Sequence, residues 1–115
     1  MRREAAWILS NATKNSNPEQ IARMVEFHVL DCFVSLLDAE DAKTVEVVLE
    51  GLNNILNWGA VLANQTRGSD NLFLIELENK GGVKKIEDLQ THPNNEVYLK
   101  ALRILENHFE LESLL

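Results

Sequence analysis

A single cysteine, Cys32, leaves the chain unable to close an internal disulfide. Within the apolar run VLDCFVSLL this thiol acts as a small hydrophobe, which excludes a secreted disulfide scaffold and fits a reducing compartment. The missing second cysteine also removes the usual zinc patterns. His28, His92 and His108 are too widely spread to pair on one helix, so surface positions are expected for all three. Basic charge is scarce as well. Lys and Arg total 11 against 18 Asp and Glu, a formal charge of −7, which disfavours nucleic acid and anionic membrane and leaves basic proteins or peptides as partners. No long hydrophobic run is present. The opening MRREAAWILSNAT is amphipathic and interrupted by Ser10 and Asn11, so neither a signal peptide nor a membrane span is expected there.

What the chain does contain is helical periodicity, without a convincing strand. Glu4 to Ala12 forms a first helix that ends in the polar run KNSNP. Asn17 is placed to cap the next helix, with Pro18 at its first position. Ile21, Met24, Val25 and Phe27 follow at helical spacing, and Leu30, Phe33, Leu36 and Leu37 mark a second short helix. After the break AEDA a longer helix runs from Lys43 to about Leu62. Asn64 to Asp70 reads as a loop, with Ser69 or Asp70 capping a short helix through LFLIELEN that Gly81-Gly82 stops. VKKIEDLQ, the break THPNN and a long final helix EVYLKALRILENHF repeat the short, short, long order.

The repetition has a register. At an offset of 53, Leu30 meets Val83, Phe33 meets Ile86, Leu36 meets Leu89, Leu49 meets Leu102, Leu52 meets Leu105 and Asn54 meets Asn107. An offset of 43 in the other direction places Ala6 on Leu49, Leu9 on Leu52 and Asn11 on Asn54, so the first helix is equivalent to the long third helix of each later unit. Three-helix units of about 40 to 47 residues are the signature of armadillo arrays, in which each unit buries its apolar faces against its neighbours. The expected fold is an all-α, right-handed superhelical armadillo solenoid fragment. Its expected parts are a third helix (1–16), two complete repeats (17–68 and 69–109) and a short tail (110–115).

Trp7 and Asn11 share a face of the first helix, with Glu4 one turn earlier. A tryptophan in an amphipathic helix is more often core than ligand wall. The repeat register points the other way, because the positions equivalent to Trp7 carry Glu50 and Arg103, charges that a buried slot would not accept. That column is expected to be exposed, and an exposed indole holds the stem and charge of a Lys or Arg. Trp58 is expected to pack at a repeat junction. The carboxylates of AEDA and LEN flank loops and solvated faces, and Gly81-Gly82 lacks the strand context of a nucleotide site. No enzyme activity, cofactor or metal is expected.

RREAAWILSNAT resembles the third-helix signature of importin alpha, the armadillo adaptor that binds nuclear localisation signals. LEGLNNIL and GGVKKIEDLQTHPNNEVYLKALRILENHF resemble its last two repeats. The resemblance implies the third helix of the eighth repeat followed by the ninth and tenth. It implies that Glu4, Trp7 and Asn11 belong to the rim of the minor signal-binding site, with Asn11 bonding the ligand backbone and binding of signal peptides weak in the fragment. It further implies contact of the last repeat with the nuclear export receptor in company with a GTP-bound small GTPase, and with a nucleoporin. Importin beta would be bound only through a segment absent from this sequence. Shuttling between cytoplasm and nucleus follows. Asn54 and Asn107 are candidates for bracing local backbone or another partner, and Glu106, Glu110 and Glu112 form an acidic end suited to a basic partner. Ala5, Ile8, Leu9 and Ala12, on the flank of the first helix, are candidates for self-association. The alternative is a generic armadillo scaffold for protein interactions.

Overall fold

The computed structural model describes residues 3–65 and 70–108, and among these every regular element is helical. Helix α1 spans Arg3–Lys14, α2 Pro18–Glu26, α3 Val29–Leu36 and α4 Ala42–Gln65. Helix α5 spans Leu72–Asn79, α6 Gly82–Asp88 with a 3-10 turn at Leu89–Thr91, and α7 Asn95–His108. Local chemistry sets several of these limits. Asn17 accepts from the Gln20 amide while the Gln20 side chain returns to the Asn17 amide, a reciprocal cap, and Pro18 supplies a pre-set first residue. At the turn into α6, Gly81 takes the left-handed conformation (φ 79°) without steric cost, and at the equivalent turn into α3 the same conformation falls on His28 (φ 69°). The His28 ring bonds Asp31 at 3.0 Å.

Three differences from the sequence expectation have tertiary causes. Phe27 is 81% exposed, since α2 ends at Glu26 and the turn at His28 carries the aromatic ring off the apolar face. Asn64 and Gln65 belong to α4 and not to a loop. The cap of α5 is Asn71, not Asp70, and Ser69 lies outside the described residues. Asn71 accepts from the amides of Phe73 and Leu74, and its own amide donates 2.9 Å to the Leu56 carbonyl on α4. A Cβ on Gly59 would overlap the Asn71 carboxamide, so glycine permits this approach.

One continuous core joins the units. Ile21, Leu30, Phe33, Leu49, Leu52, Ile55, Leu56, Leu77, Ile86, Ile104 and Leu105 are fully buried, each such side chain contributing about 1.5–3 kcal/mol of transfer free energy. The apolar columns read from the repeat recur inside it: Phe33 with Ile86, and Leu52 with Leu105. Trp58 packs against the same core, half-buried. Charge links α3 and the turn after it to the end of α5 and to α6. Lys80 reaches Asp31 at 2.8 Å, and Lys85 pairs with Asp38 while donating 3.1 Å to the Val34 carbonyl. Hydrogen bonding from Lys80 holds the Asp31 carboxyl below its usual range, and Asp31 in turn raises Lys80.

The long helices α1, α4 and α7 lie side by side, α1 along α4 and α4 along α7. Contacts fall in the same chain order on each side, Ser10 with Val47 and then Thr13 with Asn54, Glu50 with Lys100 and then Asn53 with His108. Neighbouring long helices are therefore parallel, as stacked units of one kind require. On α1 Ile8 is 68% exposed and Ala12 is exposed, whereas Ala5 and Leu9 are half-buried.

Candidate functional site

The first seam, between α1 and α4, is closed underneath by uncharged groups. The buried Ser10 hydroxyl donates 2.9 Å to the Val47 carbonyl. Asn54 donates 3.0 Å to the Thr13 hydroxyl, which donates 2.6 Å to the Ser10 carbonyl. This relay satisfies each buried polar atom and fixes the rotation of α1 against α4. With Ala6, Ser10 and Thr13 turned inward, Glu4, Trp7 and Asn11 are left on the outside.

Trp7 is 42% exposed, and it lines a shallow pocket with Glu4, Asp41 and Lys43. Two carboxylates and an indole face suit a cation, by charge and by the ring quadrupole. The Lys43 ammonium already stands over that ring, 5.8 Å from its centroid. Asp41 holds the start of α4, accepting from the Lys43 amide at 3.3 Å and from the Thr44 hydroxyl at 2.7 Å. Asp41 and Lys43 were not singled out by sequence reasoning. The signal that would have found them is the alignment of long helices itself, which puts the start of α4 beside the middle of α1.

The second seam, between α4 and α7, has a different surface. Its pocket is lined by Leu49, Glu50, Asn53, Lys100 and Arg103. Glu50 is paired with Lys100 at 3.0 Å, and the His108 Nε2–H donates 3.1 Å to the Asn53 side-chain oxygen. Desolvation lowers the pKa of His108, which is half-buried rather than the surface residue expected of it. Glu50 and Arg103 are exposed, as is Trp7, so one column of the repeat faces outward in all three long helices.

The remaining candidates are scattered. Asn54 is half-buried and engaged with Thr13, whereas Glu106 and Asn107 are exposed on the last turns of α7. Glu110 and Glu112 lie outside the described residues. No cluster of three metal-binding side chains occurs among the described residues, and none of their helices is long and apolar enough to cross a membrane.

Comparison with known proteins gives this arrangement a family. Residues 71–113 match the atypical Arm repeat family. Importin subunit alpha-5 of Arabidopsis thaliana is 36% identical over 108 residues, 94% of this chain and 20% of that protein. Importin subunit alpha-3 of Caenorhabditis elegans is 39% identical over 95 residues, 83% of this chain and 17% of its own length. Importin subunit alpha-6 of Arabidopsis thaliana is 46% identical over 74 residues, 64% of this chain and 14% of its own length. The chain thus spans a fifth or less of each of these curated relatives. Parallel long helices, a repeating apolar register and relatives matched over 64–94% of the sequence have one common explanation: the chain is built of armadillo repeats of the importin alpha family.

Proposed function

We propose that this chain is the C-terminal part of a nuclear import adaptor, with α1 the third helix of an eighth repeat, residues 17–68 the ninth, 69–109 the tenth and 110–115 a tail. Its α1 surface is the rim of the minor site for nuclear localisation signals. The observation that carries this reading is the half-exposed Trp7 on α1, with Glu4 and Asn11 exposed one turn to either side. The indole wall takes the aliphatic stem and charge of a Lys or Arg. Glu4 pairs with that charge, and the Asn11 amide donates to and accepts from the ligand backbone. An extended basic peptide is the ligand such a surface selects, and the net charge of −7 steers it inward. The exposed Glu106 and Asn107, with Glu110 and Glu112, belong to the surface that meets the export receptor with its GTP-bound GTPase, and a nucleoporin is a further partner of the last repeat. The adaptor shuttles between cytoplasm and nucleus.

Titration of a classical basic signal peptide tests the rim. A single tryptophan wall supports weak binding, and Trp7→Ala should lower it by about twofold to thirtyfold, the span of one cation–π contact. Micromolar binding that survives Trp7→Ala would overturn the assignment. For the last repeat, joint replacement of Glu106, Glu110 and Glu112 by Gln should weaken capture of the export receptor with its GTP-bound partner, more so at low salt. Unchanged capture and salt dependence would remove the acidic end from the site.

A further inference from the structure

The ring proposed to receive a ligand cation already has a cation of its own. Lys43 is exposed, on the second residue of α4, and its ammonium stands 5.8 Å from the Trp7 centroid. Its backbone is anchored by the bond from its amide to the Asp41 carboxylate, and Asp41 is fixed in turn by the Thr44 hydroxyl. Thr44 itself is buried, which ties the start of α4 to the core. The lysine is thus delivered to the indole by a built feature of the helix start. Glu4 and Asp41 line the same pocket, so Lys43 also offsets part of the negative charge that would draw in a basic ligand.

We propose that Lys43 is an affinity-setting residue of the Trp7 slot, an internal competitor that occupies the indole face and must be displaced by the basic side chain of an incoming peptide. The inference rests on the reading of Trp7 as a wall for basic peptides. It adds that the slot is self-occupied when empty, so that affinity is set by the difference between two cations on one ring. A ligand guanidinium, planar and less strongly hydrated than an ammonium, stacks better on indole and displaces Lys43 more readily than a ligand lysine does. The slot therefore prefers arginine over lysine at the displacing position.

The test is a double-mutant cycle on the full chain with two synthetic peptides, identical but for an Arg or a Lys at one position of a basic tetrad. Lys43→Met keeps the length of the side chain and removes its charge. It should tighten binding of both peptides by the same factor, about twofold to fivefold, the equivalent of one solvent-exposed cation–π contact, and leave the preference of the indole for the Arg peptide in place. In a Trp7→Ala background the same substitution should tighten binding less, by the loss of one positive charge alone and with a gain that salt removes, and Lys43→Arg should retain or deepen the competition. Equal tightening with and without Trp7 would mean that Lys43 acts only through net charge, and unchanged or weaker binding in Lys43→Met would mean that it does not compete; either overturns the proposal. If Trp7→Ala lowers affinity while Lys43→Met has no effect, the signal-site reading stands and this inference alone falls. If neither substitution matters, both fall. A readout free of ligand is the nuclear magnetic resonance shift of the Lys43 ε-methylene protons. Ring current should displace it in the free chain, and the displacement should vanish in Trp7→Ala and on saturation with peptide. A Lys43 signal at its ordinary position in the free chain would also overturn the proposal.

Discussion

The two seams between long helices share a geometry and differ in what holds them. At the first, a serine hydroxyl, a threonine hydroxyl and an asparagine amide form a relay beneath the surface. Every charged side chain lining the pocket above, Glu4, Asp41 and Lys43, stands around Trp7. At the second, the seam is bridged at its surface by the Lys100–Glu50 ion pair, with His108 on Asn53 further along. The difference teaches that a repeat can keep its helix packing while changing the use of its outward column. Where neutral buried groups set the register, the exposed position is free to carry an aromatic wall. Where charge bridges the surface, the acid is consumed internally.

The largest effect should come from breaking the packing that both seams share. Leu105→Ala strips a nearly fully buried side chain from α7 and should cost about 2–5 kcal/mol, read as a lowered denaturant midpoint. The exchange protection of α7 should be lost before that of α1. If α1 loses protection at the same midpoint, the seams open as one cooperative unit and are not independent.

A smaller effect separates the kinds of bridging. Ser10→Ala removes a buried hydrogen bond across the first seam and should cost about 1 kcal/mol, with no dependence on salt. Lys100→Met removes a partly exposed ion pair from the second, where about 0.2–1 kcal/mol is at stake and salt should erase it. No loss in Lys100→Met at any salt would show that packing of the lysine stem, which methionine retains, and not charge, bridges α4 and α7.

The smallest effect is a pH dependence confined to the second seam. Burial lowers the pKa of His108 below its unfolded value of 6.5, so below that value the unfolded chain binds more protons than the folded one. Stability contributed by neutral His108 is complete above pH 6.5 and is lost as pH falls through the folded pKa. His108→Gln should flatten this part of the stability profile without touching the first seam. A profile that keeps its slope would assign it to other groups, Asp31 among them, whose depressed pKa gives the same sign at lower pH.

Much of the architecture was legible because it repeats. The offset of 53 residues aligned Phe33 with Ile86 and Leu52 with Leu105, and these four side chains are buried together in one core. The charges at Glu50 and Arg103 made an exposed Trp7 expected, against the usual habit of tryptophan. The cap at Asn17 was readable because all its partners lie within three residues. What escaped was set by distant neighbours. Lys43 reaches Trp7 only after two intervening helices have turned the chain back. Phe27 shared the helical period of α2 but falls just past its end. Asn71 competes as a cap with Ser69 and Asp70 in local terms, and its advantage is a carbonyl on α4, visible only once that helix is in place.

The Asn71 carboxamide also imposes an order of assembly. Helix α5 has 8 residues, too few to persist alone in water, and the side chain that caps it also rests on Leu56 and fits only against Gly59. Helix α4, with 24 residues, takes no cap from α5 in return, although both bury side chains in the shared core. Coupling between these neighbours is reciprocal in free energy, but the two helices differ in length, so loss of α4 takes the cap of α5 with it, whereas loss of α5 leaves α4 the longer helix of the pair. One carboxamide thus makes the start of the last unit a by-product of the helix before it, so the sequence of α5 need not carry the whole of its own stability.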